Sequence, residues 1–198
     1  MSASPPLAAV IGAGGVAVIG TDTVYGLCAD AENAAAVGRL LRLKGREAGK
    51  PSAVAFFELE PALAALPELG ARTRAAVLAL LPGPLTLLLP NPGRRFPLAG
   101  GELLGLRVID AALAPGRPLL LTSANLAGGP EARTLDQVAP EIRAGADLLL
   151  DAGELPGTPS TVVDLGDFER EGRWRIVREG ACTRMALERA LIPSDADD

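Results

Sequence analysis

The chain has 198 residues, 48% of them apolar, and a net charge of −5 with no histidine. That length buries one sizeable core and points to one domain. The missing histidine excludes Ser-His-Asp and Cys-His catalysis and disfavours a catalytic zinc site, and the acidic balance argues against a surface that grips nucleic acid. No apolar run approaches the roughly 20 residues of a membrane span. The start, Met1 to Leu7, lacks the basic-then-apolar pattern of a signal peptide. Cys28 and Cys182 are far apart, without metal-ligand spacing, and read as reduced thiols of a cytosolic protein.

In chain order, Pro5 to Ala13 predicts a short helix, stopped by Gly14 and Gly15. Val16 to Ile19 predicts a strand. Asp30 is placed to cap a helix over Ala31 to Lys44, which Gly45 ends. Ser52 to Phe57 predicts a buried strand, and Arg72 to Leu81 a helix broken by Pro82-Gly83-Pro84. Strands are expected at Leu85 to Leu89, Leu103 to Val108 and Leu119 to Thr122. Thr134 and Gln137 have capping-box spacing and predict a helix to about Ala144. Leu148 to Leu150, Thr161 to Leu165 and Arg173 to Arg178 read as strands, the last two as a hairpin across Gly166 to Gly172. A helix over Thr183 to Leu191 precedes an acidic tail, 194–198, expected to be disordered. Interleaved strands and helices predict a single α/β domain over residues 1–193, built on a mixed sheet.

Six segments carry polar chemistry beside apolar runs. Gly20 to Gly26 is a glycine-flanked polar turn after a strand, suited to a ligand or simply to its own backbone. Lys44 to Pro51 gathers three cations, Lys44, Arg46 and Lys50, and includes both lysines of the chain. They complement a helix end or hold a phosphate, and the spacing is not that of a P-loop. Arg107 lies alone in an apolar strand, where it needs either a structural partner or a carboxylate to clamp. Ser123 to Gly128 could hold a nucleotide's polar edge or form an Asx or Ser turn. Gly157 to Leu165 is a proline-led entry into a strand, and Val177 to Ala181 places an Arg at a strand end. Neither says much alone.

Taken together, the six segments resemble the YrdC-like threonylcarbamoyl-AMP synthases. Thr21 to Gly26 is similar to that family's Pro-Thr-Asp/Glu-Thr-Val-Tyr-Gly, and Lys44 to Pro51 to its Lys-Gly-Arg-Pro-x-x-Lys/Asn-Pro. Leu81 to Leu89 resembles Trp-Pro-Gly-Pro-Leu-Thr, and Ser123 to Gly128 resembles Ser-Ala-Asn-Leu-Ser-Gly. Ser160 to Leu165 repeats Ser-Thr-Val-Val-Asp-Leu, and Val177 to Ala181 is similar to Leu-Arg-Pro-Gly-Ala. The likeness runs from about Val16 to Ala181. It departs at Gly20, Leu81 and Glu179, and at Ala55, where longer members carry a His. These changes leave room for altered substrate choice.

The resemblance implies a twisted mixed sheet with flanking helices and a large concave cleft. It implies synthesis of threonylcarbamoyl-AMP from L-threonine, bicarbonate and ATP, with magnesium on the phosphates and no tightly bound cofactor or protein-held metal. By its implication Thr23, Arg107 and Ser160 meet threonine. Lys44, Arg46 and Lys50 form the catalytic cationic group, Arg46 and Lys50 on the phosphates. Ser123, Asn125, Arg133 and Arg178 contact the nucleotide. Other proteins, the threonylcarbamoyl transferases, would carry the product to tRNA, with weak direct RNA binding at most and no membrane. The rival readings are an RNA-binding module of the same fold, a binding protein with dead chemistry, and a related carbamoyl-adenylate-forming enzyme.

Overall fold

The computed structural model describes residues 7–45, 52–110, 113 and 115–191. The acidic tail expected at 194–198 lies outside them.

Among the described residues nine strands form one sheet in the order β7-β1-β2-β6-β3-β5-β4-β8-β9. They are β1 (Val16–Gly20), β2 (Tyr25–Asp30), β3 (Ala53–Phe56), β4 (Leu85–Pro90), β5 (Leu103–Val108), β6 (Leu119–Ser123), β7 (Leu148–Leu149), β8 (Thr161–Asp164) and β9 (Arg175–Arg178). The β1–β7, β3–β5 and β4–β8 pairs are parallel and the other five antiparallel. The sheet is therefore mixed, as the sequence predicts.

The helices are α1 (Leu7–Gly12), α2 (Ala34–Lys44), α3 (Leu59–Ala64), α4 (Ala71–Leu80), α5 (Pro140–Gly145), α6 (Phe168–Glu171) and α7 (Arg184–Leu191), with a 3₁₀ turn at Leu135–Gln137. Period-two alternation assigns the sheet's faces. Leu27, Leu120, Val54, Leu106, Leu87 and Val163 belong to the main core with residues of α2, α3, α4 and α7. Each such side chain, fully buried, contributes about 1.5–3 kcal/mol. On the other face α1 covers one half only: Leu7 and Ile11 pack on Ala17, Ile19, Cys28, Leu119 and Leu121. The uncovered half of that face is the cleft described below.

Three local expectations fail for identifiable reasons. Asp30 does not cap α2. Residues 25–30 are drawn into β2 by pairing with both β1 and β6. Asn33 caps instead, its Oδ1 accepting from Ala36 N at 3.0 Å, so the helix starts later. The capping box at Thr134 does not form. Gln137 Oε1 accepts from Arg133 N at 2.8 Å, and only a 3₁₀ turn precedes the start of α5 at Pro140. The β8–β9 pair is antiparallel as expected, but its connection holds α6, whose Phe168 plugs into the core.

Both cysteines are free thiols. Cys28 is fully buried, and burial pushes its thiol up to about 12. The thiolate is the reactive species, so Cys28 is inert while the chain is folded. Ellman titration should therefore find Cys182 first and Cys28 only in denaturant. Equal rates for the two thiols in native buffer would contradict this burial.

Candidate active site

Small residues make the open half of the sheet concave. Ala53 on β3 lies in register with Leu121 on β6 and Gly105 on β5, and Gly105 faces Leu88 on β4. A Cβ at Gly105 would come within 3.3 Å of Ala53 Cα and 3.5 Å of Thr86 Cγ2. Any side chain there would fill the floor. The resulting cleft has a volume of about 260 Å³. Its walls carry Thr21, Lys44, Thr86, Arg107, Ser123, Glu131, Ser160 and Arg178, which come from both ends of the chain.

One end of the cleft is built around Lys44, at the last position of α2. Gly45 follows in the left-handed region (φ 65°), and its N–H closes onto Arg42 O at 3.0 Å. That cap aims the Lys44 stem across to the loop after β6. Nζ donates to Ser123 O at 2.6 Å, Asn125 Oδ1 at 2.7 Å, Asn125 O at 3.0 Å and Ser123 Oγ at 3.1 Å. Ser123 Oγ donates to Asn125 Oδ1 at 2.6 Å, and Ala127 N returns to Lys44 O at 3.1 Å. An ammonium is the right group here, since it has three donors and no acceptor.

Arg107, on β5, stands at the centre. It is 7% exposed. Its guanidinium donates through a short contact to Asp22 Oδ1 and at 3.3 Å to Thr23 Oγ1. Among the described residues, Arg107 Nε and Asp22 Oδ2 are buried without partners. Burial holds the Arg107 pKa below its usual value against the pull of Asp22, and the positive charge of Arg178 acts in the same direction as burial. Burial raises the Asp22 carboxyl, and Arg107 opposes that rise. Of the two roles open to Arg107 from the sequence, the structure displays the internal ion pair.

At the far end, Arg178 on β9 donates to Ser160 O at 2.8 Å and Ser160 Oγ at 3.2 Å. Ser160 Oγ lies 2.9 Å from Thr86 Oγ1 on β4. The Arg178 guanidinium and these hydroxyls make this side of the cleft a place for an anion, beside the Arg107–Asp22 ion pair.

Of the residues singled out by sequence, Lys44, Arg107, Ser123, Ser160 and Arg178 line one cleft. Thr23 is fully buried beneath Arg107. Asn125 turns onto Lys44 and donates from Nδ2 to Gly129 O. Arg133 is not among the lining residues; it pairs with Glu154 at 2.9 Å and donates to Leu155 O at 3.3 Å. Arg46 and Lys50 lie outside the described residues. Thr86, Asp22 and Glu131 were not singled out. Thr86 and Asp22 sit inside segments already notable for their pattern. Glu131 carries no sequence signal, yet among the described residues its Oε2 is buried without a partner at the cleft wall.

A family model, Sua5_yciO_yrdC with the description "Telomere recombination", matches residues 9–180. A Thiobacillus denitrificans protein named threonylcarbamoyl-AMP synthase is 39% identical, over 82% of this chain and 91% of its own. One of the same name from Chromohalobacter salexigens is 40% identical, over 75% and 85%. The crystal structure of P. abyssi Sua5 complexed with L-threonine matches with a TM-score of 0.80 and 27% identity, covering 92% of this chain and 55% of that one. The chain thus spans about half the length of that structure. E. coli YciO, at 24% identity, shares the fold with a TM-score of 0.74 over 91% of this chain and 90% of its own.

Proposed function

The chain belongs to the Sua5/YciO/YrdC family, and from that premise we propose that it makes threonylcarbamoyl-AMP from L-threonine, bicarbonate and ATP, releasing pyrophosphate. One observation carries the proposal: side chains from all six sequence segments converge on one cleft, anionic-ligand chemistry at one end and a Lys-Ser-Asn cluster at the other.

Threonine's amine and bicarbonate join through a new N–C bond, with loss of water, to give a carbamate. The carbamate is already anionic near neutral pH and needs no strong general base, which suits a site without histidine. One of its oxygens attacks the α-phosphorus of ATP. The bond to the β-phosphate oxygen breaks, and pyrophosphate leaves. Catalysis then rests on alignment and on cations facing the developing charge.

In this assignment Arg107, Thr23 and Ser160 hold threonine, and Arg46 and Lys50 face the phosphates. Magnesium enters with ATP as part of the substrate. Ser123, Asn125, Arg133 and Arg178 contact the nucleotide, and Lys44 supports Ser123 and Asn125. The reaction class is nucleotidyl transfer, in the cytoplasm. Transfer to tRNA falls to other proteins; the excess of 24 acidic over 19 basic side chains supports weak direct RNA binding.

The test is pyrophosphate release from magnesium-ATP. Release is expected only when threonine and bicarbonate are both present. Release that continues when threonine is omitted would remove the assignment.

A further inference from the structure

We propose that Thr86 is a positioning residue that fixes the Ser160 hydroxyl as a hydrogen-bond donor to the anionic end of the bound amino acid. This rests on the reading of the cleft as a threonine site.

A serine hydroxyl has one donor and two acceptor positions. Arg178 takes one acceptor position on Ser160 Oγ at 3.2 Å and also holds the Ser160 carbonyl at 2.8 Å. Thr86 Oγ1 lies 2.9 Å from the same Ser160 Oγ. Two hydroxyls carry two hydrogens, and one of these is used between them. Among the described residues neither has a further hydrogen-bond partner. One O–H is left, and both residues line the cleft. When Thr86 donates, both acceptor positions of Ser160 are filled, and Ser160 can only donate. Without Thr86, Ser160 keeps its O–H but gains an open acceptor position, so the direction of its hydrogen is no longer fixed toward the anion.

The backbone holds this arrangement rigidly. Thr86 pairs with Val162 in the parallel β4–β8 ladder, and Thr161 N donates to Pro84 O at 3.1 Å. The two hydroxyls are thus held together by strands that are 74 residues apart in sequence at this point. Both residues are buried, Thr86 at 8% and Ser160 at 4% exposure. Arg178 supplies the charge on this side of the cleft, beside the Arg107–Asp22 pair, and the hydroxyl pair supplies direction.

The experiment compares Thr86→Val and Thr86→Ser with the unaltered chain. Threonine binding is followed by calorimetry, and KM and kcat for threonine and ATP by pyrophosphate release. Valine keeps the shape and removes the hydroxyl. Thr86→Val is expected to weaken threonine binding on the order of tenfold, the loss of about one hydrogen bond to a charged group. KM for threonine should rise with it, while KM for ATP and the melting temperature stay near those of the unaltered chain. Thr86→Ser should restore threonine binding. Unchanged threonine affinity in Thr86→Val, or no recovery in Thr86→Ser, overturns the inference and leaves the threonine site standing. An unaltered chain that binds no threonine overturns the site assignment itself, and the inference with it.

Discussion

Arg107→Met is expected to lower the stability of the folded chain by about 3–5 kcal/mol at neutral pH, the cost of leaving one member of a buried ion pair alone. The Arg107 and Asp22 side chains are 8% and 15% exposed, and among the described residues each has a polar atom buried without a partner. At this chain length the loss corresponds to a fall of about 6–20 °C in Tm. Asp22 gives the effect a pH signature. Its carboxyl is raised by burial, and Arg107 is the main influence lowering it. Removing Arg107 raises it further. The folded variant then binds the Asp22 proton more tightly than the unfolded chain does. Its stability is greatest below the unfolded carboxylate range and is lost as pH rises through the raised value. The deficit should therefore shrink in acid and grow toward neutrality. Asp22→Asn in the same chain removes the stranded charge and should recover much of the stability without recovering threonine binding. Denaturant melts at several pH values and threonine titrations of both variants decide it. A double variant that binds threonine like the unaltered chain would leave Arg107 a structural residue only.

This ion pair marks the limit of what was legible in the sequence. The mostly aliphatic run Leu103-Leu104-Gly105-Leu106-Arg107-Val108, which follows Gly100 and Gly101, predicted β5 to the residue. A charged group inside that run announced that Arg107 needed a partner. Asp22 could not be chosen as that partner, because it lies 85 residues away and meets β5 only through the sheet order. The same holds for Thr86, which gains meaning only when β4 and β8 pair. β2 was missed for another reason. Tyr25–Asp30 is buried along its whole length, so it shows no alternation, and Gly26 reads as a turn. α3 was missed because Pro61 lies in its short first turn, where the absent N–H does no harm but the local pattern reads as a break. Composition worked by exclusion: with no histidine, the chemistry is left to Arg, Lys, carboxylates, hydroxyls, amides and backbone groups.

Lys44→Met should affect both the fold and the nucleotide, because Lys44 works through a loop that it holds. Lys44 is 5% exposed, and among the described residues its ammonium has four oxygens within 3.1 Å, two from Ser123 and two from Asn125. Methionine fills much of the same volume but donates nothing. The two backbone carbonyls lose a charged donor inside a site that water enters poorly, and each buried acceptor left unpaired costs about 1–3 kcal/mol. Ser123 Oγ and Asn125 Oδ1 retain the bond between them at 2.6 Å, so part of the loop's internal order survives. A net loss of about 3 kcal/mol is expected, or a fall of roughly 6–12 °C in Tm. The loop from Ser123 to Gly129 should loosen first, since its Leu126 is already exposed and Lys44 is its tie to α2. Limited proteolysis should then cut there well below the melting temperature. ATP affinity should fall by more than about tenfold, because Ser123 and Asn125 no longer hold one geometry. Lys44→Arg should not rescue either property, as a planar guanidinium cannot occupy a site shaped for a compact ammonium. A methionine variant that resists protease in this loop and titrates with ATP like the unaltered chain would separate Lys44 from the nucleotide site and return it to the helix end alone.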